Sequence, residues 1–342
     1  MKFSECVEIV GSKPSRYQGI KQYVSTGALD SDHIDENSIE EYAYDDRPSR
    51  ADLVAEAGNV LFAKMAETKK TLVINNQNEK YLFSTGFFAV KPKKNVLTTE
   101  CLYYLLNSNT FLSQKDKYSS GATQKAISNA SLEKIIVNIP CFLKQEDIVK
   151  QLDKLSNIIK KTRKQLLNFD LLIKSRFIEM FGDPRINSKN LPSVKFIDVI
   201  KLQRGFDLPV QERDSTGKIN VYGSNGVLGK HNEIKVKGPG IVTGRSGTLG
   251  KVYYVLEDYW PLNTTLFSVD THGNNVIYLK YLLEAFELER FTEGAGVPTL
   301  NRNIVHEKEI INAPLELQQQ FASFVLQIDK SKFENTTQEI AA

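Results

Sequence analysis

One stretch of the chain has the residue types of a loop that grips phosphate: Gly244-Arg245-Ser246-Gly247-Thr248-Leu249-Gly250-Lys251. A nucleotide loop needs the spacing GxxxxGK followed by Ser or Thr, so that backbone N–H groups cradle phosphates and a hydroxyl reaches magnesium. That spacing here puts Arg245 where the first Gly must stand and Val252 where the hydroxyl must be. A DNA methyltransferase would need an Asn-Pro-Pro type motif, and no two prolines are adjacent. GxSxG and HExxH are absent as well. Cys6, Cys101 and Cys141 form no CxxC pair, and His33, His231, His272 and His306 are scattered, so neither a zinc site nor a disulfide framework is signalled. The expectation is a chain with no catalytic residue and no metal, whose polar Gly-rich loops present side chains to a partner.

Such loops need a scaffold. With 342 residues, 41% hydrophobic and 25% charged, the chain has globular balance and room for two domains. A net charge of +3 permits an anionic partner without demanding one. The N-terminus has no apolar signal run, and nowhere do eighteen consecutive apolar residues occur, so a cytoplasmic protein with no membrane contact is expected.

The strongest periodic signal lies mid-chain. Ile148, Leu152, Leu155, Ile159, Thr162, Leu166, Phe169 and Ile173 recur at alternating steps of four and three, the seam along which one helix lies on another. With Gly182 and Pro184 as stop signals, the spacing predicts a helix from about Lys144 to Met180, roughly 50 Å long. A partial copy follows near the C-terminus. Pro314–Ala322 parallels Pro140–Val149, with Gln318 answering Gln145, Phe321 answering Ile148 and Val325 answering Leu152. Ile328 continues this copy, but Phe333–Ala342 carries no apolar seam, so a shortened second helix is expected.

Each predicted helix follows a globular stretch, and the two stretches run through the same parts. The first reads as an opening segment at Lys2–Val10, a strand and turn at Tyr17–Leu29, an acidic loop at Asp30–Asp46 and strands at Asn59–Ala63 and Tyr81–Val90. A capped helix at Thr98–Asn107, a polar loop at Gly121–Ser128 and a final strand at Glu133–Ile139 complete it. The second has counterparts at Lys195–Ile200, Val221–Leu228, Gly240–Thr243, Leu262–Phe267, Val276–Phe291 and Gly296–Asn301. A duplicated scaffold with divergent loops suits one kind of task performed on two targets.

In the second half LPVQ, VYGSNGVLGKHN, GPGIVTGRSGTLGKVYYV, WPLNTT, GVPTLNRN and PLELQQQFASFV, with SRFIEMFGDP after the central helix, carry a family resemblance. YVSTGAL, FSTGFF and GATQKAI carry it in the first. Through them the chain resembles the specificity subunit of a type I restriction-modification system. The resemblance implies an α+β protein with two mixed α/β target recognition domains of similar plan, at 1–140 and 183–314. A spacer helix at 141–182 would separate them and pack antiparallel on the shortened C-terminal helix at 315–342. It implies that the domains read the two halves of a bipartite, asymmetric site on double-stranded DNA. The helices would dock modification subunits, which methylate adenine, and through them restriction subunits with motor and nuclease activity. S-adenosylmethionine, ATP and magnesium would then belong to those partners, with no cofactor in this chain.

On that reading the donors and acceptors beside the polar loops are the candidate DNA contacts, with Arg or Lys suited to guanine, Asn or Gln to adenine, and further cations to phosphates. They are Lys21, Tyr23, Ser25, Lys64, Gln124 and Lys125 in the first domain. In the second they are Arg204, Asn225, Lys230, Arg245, Ser246 and Arg302. Any one of them could equally be a solvated surface group, and Gly223, Gly226, Gly244 and Gly247 could simply serve hairpin turns. From the residues alone, an adaptor that docks proteins on a coiled-coil spacer fits the central seam equally well.

Overall fold

The computed structural model describes residues 1–294 and 298–341, with side chains through Glu334. The chain forms two compact units, Met1–Asn157 and Ile158–Ala342. In the first, α1 (Phe3–Cys6) leads straight into β1 (Val7–Val10), so the opening segment is helix and strand in succession. β2 (Ile20–Val24), β3 (Glu40–Ala43), β4 (Val60–Ala63), β5 (Thr71–Val73), β6 (Leu82–Phe83) and β7 (Phe87–Pro92) follow. They build an antiparallel sheet of order β1-β7-β4-β5 and a smaller sheet of order β3-β2-β6, in which β2 and β6 run parallel. The acidic loop expected after Leu29 therefore contains a two-residue strand, His33–Ile34, paired with Leu29–Asp30, and the strand Glu40–Ala43, paired with β2.

Successive strand side chains point to opposite faces, and β4 is buried on both. Val60 and Phe62 join a core with Phe3, Leu102 and Phe111, whereas Leu61 and Ala63 join one with Val24, Phe83 and Phe87. The first core is closed by α1, α2 (Thr99–Leu106) and α3 (Asn109–Lys117), with the short α4 (Asn129–Leu132) beyond them. Thr98 caps α2, its hydroxyl accepting from the N–H of Cys101 at 3.2 Å.

The central helix, α5, spans Phe142–Phe181, 40 residues without a break. That is about 60 Å at 1.5 Å per residue, longer than the periodicity implied. It stops at Gly182, whose φ of +74° is left-handed and whose N–H closes on the Ile178 carbonyl at 2.8 Å.

The second unit repeats the first. Its elements are α6 (Phe196–Val199), β8 (Lys201–Arg204), β9 (Ile219–Gly223), β10 (Gly226–His231), β11 (Gly240–Gly244), β12 (Val252–Val255), β13 (Tyr259–Pro261), β14 (Thr265–Asp270), α7 (Val276–Ala285), α8 (Arg302–His306) and α9 (Leu315–Ala341). The main sheet has order β8-β14-β11-β12 and the smaller one β10-β9-β13, again with its last pair parallel. In these two sheets the strand order is that of the first unit.

One buried glutamine fixes each long helix to its own unit in the same way. Gln145, fully buried, accepts from the N–H of Thr98 at the start of α2 (2.9 Å) and donates to the Val96 and Pro140 carbonyls (2.8 and 3.1 Å). Gln318, also buried, accepts from the N–H of Asn275 at the start of α7 (2.9 Å) and donates to Asn274 Oδ1 and the Ala313 carbonyl (2.7 and 2.8 Å). Within the second unit α5 and α9 are antiparallel: Phe177 and Phe181 meet Phe321, while Asp170 pairs with Lys332 at 2.8 Å. Ile173, Phe321 and Val325 are in that core and Ile328 packs against it.

Two strand expectations need correction. The run Tyr81–Val90 is two strands in different sheets, because Ser84-Thr85-Gly86 turns between them: Ser84 Oγ accepts from the Gly86 N–H and its carbonyl from the Phe87 N–H. Glu133–Ile139 is no strand; Ile136 forms a single bridge with Lys2, since the N-terminal arm coils into α1 after two residues. As a shortened second helix implies, the heptad seam is covered over only part of its length. Ile148, Leu152, Leu166 and Phe169 are half-buried and Thr162 and Ile173 buried, but Leu155 and Ile159 are 46% and 41% exposed. Both lie past Asp153, tied to Tyr104, and before Asp170, tied to Lys332. α9, at 27 residues, is the shorter helix, although polar residues carry it past Phe333 to Ala341.

Candidate nucleic-acid interface

In the second unit the turn Arg245–Lys251 between β11 and β12 is the hub of a loop cluster. The N–H groups of Arg245 and Ser246 both donate to the Thr264 carbonyl (2.9 and 3.2 Å), and the Arg245 carbonyl accepts from the Leu300 N–H at 2.8 Å. Ser246 bridges Thr299, and the Arg245 guanidinium reaches the Asn263 carbonyl at 3.3 Å. Lys251 Nζ donates to Asn225 Oδ1 at 2.7 Å, joining the β9–β10 turn to the group. Gly244 is required at the neck of the turn, since a Cβ there would stand 1.9 Å from the Thr248 carbonyl oxygen.

This arrangement gathers Asn225, Arg245 and Ser246, and Arg302 opens α8 two residues beyond Leu300, whose N–H is held by the Arg245 carbonyl. Arg204, exposed at the end of β8, lies opposite Leu266, next to the β13–β14 turn. Lys230 stands apart: it pairs with Asn220, at the end of β9 remote from the Gly223–Gly226 turn. Gly296 and Val297 of the expected loop motif lie outside the described residues.

The first unit assembles the corresponding four loops. The turn Lys64–Lys70 joins β4 to β5, and the Lys64 N–H and Nζ donate to the Gly86 and Thr85 carbonyls (2.9 and 2.8 Å). The Ala66 N–H donates to the Lys125 carbonyl at 3.0 Å, and Gln124 Nε2 reaches Met65 Sδ. Lys70 Nζ donates to the Thr26 carbonyl at 2.7 Å, which ties in the loop that Ser25 opens by accepting from the Ala28 N–H. Gln124 and Lys125 are exposed. Lys64 is partly spent on structure: its ammonium sits over the Phe88 ring, and burial lowers its pKa from the ordinary lysine value.

Two residues fall outside this cluster. Tyr23 is 4% exposed and packs with Ala51 and Leu82, so its ring is core and cannot reach a groove. Lys21 lies back along β2, opposite Tyr42 and over the Tyr17 ring.

Each unit thus brings four loops together and leaves on them exposed or half-exposed groups able to donate to base edges and phosphates. Among the described residues, no group of three His, Cys, Asp or Glu side chains is placed to hold a metal ion, and no helix is long and apolar enough to cross a membrane.

The sequence model of the type I restriction modification DNA specificity domain matches this chain twice, over residues 14–168 and 189–342. The chain belongs to that family.

Solved type I restriction-modification chains share the fold of this specificity chain at low identity. The S subunit from M. genitalium superposes with a TM-score of 0.61 at 13% identity, covering 100% of this chain and 91% of that one. A chain from work on complex assembly and conformational transition of the type I R-M system gives 0.58 at 16% identity, covering 100% and 93%. No curated protein matches by sequence. Membership in a DNA specificity family disfavours the protein-adaptor reading.

Within this specificity chain the sequence reading missed Lys70, Lys251, Asn263 and Arg50. The signal for the two lysines was present: the β4–β5 and β11–β12 turns, Lys64–Lys70 and Arg245–Lys251, are the same length and each ends in lysine. Arg50 is exposed and its carbonyl accepts from the Thr85 N–H at 2.9 Å, whereas Asn263 Nδ2 donates to Asp207. Both are long-range placements with no local sequence mark.

Proposed function

We propose that this DNA specificity chain reads one half of a split, asymmetric site with the loop cluster of each unit. The observation that carries this reading is the same set of four loops assembled twice on one topology from different side chains. Lys64, Gln124 and Lys125 belong to one set and Arg245, Ser246 and Arg302 to the other, so two different base sequences are recognised. α5 sets the distance between the two words. Its uninterrupted 40 residues amount to about 60 Å, the length of about eighteen base pairs.

Modification subunits dock on α5 and α9, and restriction subunits join through them. S-adenosylmethionine, ATP and magnesium enter with those partners, and catalysis is theirs; the chain acts in the cytoplasm. Support comes from the family and from the apolar side chains that α5 exposes, Leu155, Ile158, Ile159, Leu167, Leu171 and Leu172.

Binding of the chain with its modification subunits to duplex DNA at increasing salt tests the reading. Affinity should fall steeply and log-linearly with salt as phosphate contacts are lost, leaving a preference for one duplex sequence. Salt-independent binding, or none, would contradict it.

A further inference from the structure

The two β-hairpin turns at the centre of the clusters are held in shape by different means. In the second unit the turn Arg245–Lys251 passes through left-handed backbone at Gly247 (φ +85°) and Gly250 (φ +77°), which costs glycine nothing. In the first unit the turn Lys64–Lys70 contains no glycine, and it is Glu67 that adopts the left-handed conformation, at φ +58°. A residue with a Cβ resists this backbone unless its surroundings hold it.

Those surroundings come from the last turn of α3. Lys115 is 1% exposed, and its ammonium donates to three carbonyls around the turn: Met65 at 2.8 Å, Thr68 at 2.6 Å and Ala63 at 3.5 Å. Asp116 Oδ1 accepts from the N–H of Glu67 itself at 2.9 Å. A buried ammonium is tolerated only when its donors are satisfied, and these are satisfied by the turn. Burial lowers the Lys115 pKa from the ordinary lysine value, an effect the neighbouring Asp116 opposes.

We propose that Lys115 and Asp116 are positioning residues for recognition by the first unit, locking the Lys64–Lys70 turn in the conformation that presents its loop cluster to DNA without touching DNA themselves. This rests on the reading that the cluster faces the first half-site.

The test uses the assembled complex and duplexes altered in one half-site at a time. Asp116→Ala should lower discrimination at the first half-site by about tenfold or more, the worth of one good base contact, and leave the second unchanged. Asp116→Asn keeps an oxygen able to accept from the Glu67 N–H and should restore discrimination. Adding Glu67→Asn to Asp116→Ala should recover part of it, because Asn enters left-handed backbone more readily. Neither restoration is expected of a residue that merely stabilises the fold. Lys115→Met should behave as Asp116→Ala does; if it fails to fold, the Asp116 series decides. Gln124→Ala with Lys125→Ala, on the exposed loop, is the control. If the control loses first-half discrimination while Asp116→Ala keeps it, the clamp is wrong and the reading of the cluster stands. If neither variant changes the first half-site, the cluster does not read DNA and the proposal falls with it.

Discussion

Gln145 and Gln318 show how single buried amides determine where the long helices sit. Each satisfies the N–H at the start of a neighbouring helix and two further acceptors, so truncation would strand backbone groups away from water. Gln145→Ala or Gln318→Ala is expected to cost about 2 kcal/mol, measured by urea unfolding. His306 is a second such residue. Buried, it accepts from the Leu202 N–H at 3.0 Å; burial first, then the charges of Arg302 and Lys201, hold its pKa below the ordinary 6.5. The folded state therefore refuses a proton that the unfolded state accepts near pH 6.5. Stability is full above that value and falls as pH drops from it toward the folded pKa, by at most about 1.4 kcal/mol per pH unit. Thermal melts from about pH 8 down to about pH 5.5 should show this slope, and His306→Gln should flatten it. The residue scale was the least legible in sequence. Asn225, Arg245 and Ser246 come together through contacts between loops, but Tyr23 is buried because the end of β2 is covered on both faces, Tyr23 packing with Ala51 and Leu82 and the adjacent Val24 with Phe83.

At the scale of elements, the turns matter more than the strands. A run such as Tyr81–Val90 looks like one strand, since its apolar content is continuous, yet Ser84 and Gly86 fold it into a corner that delivers Thr85 to the first cluster. Glu133–Ile139 looked equally strand-like and had only the N-terminal arm to pair with. The long helix was legible because its period and stop signals are local, whereas the exposure of Leu155 and Ile159 depends on what lies opposite. If α5 is the spacer, deleting seven residues between Ile158 and Leu172 removes about 10 Å and should shorten the tolerated gap by about three base pairs. Mapping the sites bound by the deletion variant checks this, and an unchanged gap would argue against the spacer. Arg245→Ala or Arg302→Ala belongs to the loop elements and should relax one half-site only. Loss at both halves would point to general phosphate binding.

On the scale of the whole molecule, the duplication was readable from the order of motifs, despite little residue identity between the halves. Topology is set by burial pattern and turn positions, which both halves keep: β1-β7-β4-β5 recurs as β8-β14-β11-β12. The bases read were not legible, because the cluster side chains are aimed by contacts between loops distant in sequence. On the proposed function, two dissimilar readers on one chain interrogate two separated words. Mapping methylated adenines in DNA from cells that carry this chain with its modification subunit tests it most directly. The expected outcome is one sequence motif made of two different specified blocks flanking a gap of fixed length. A single unbroken motif, or two identical blocks, would contradict it.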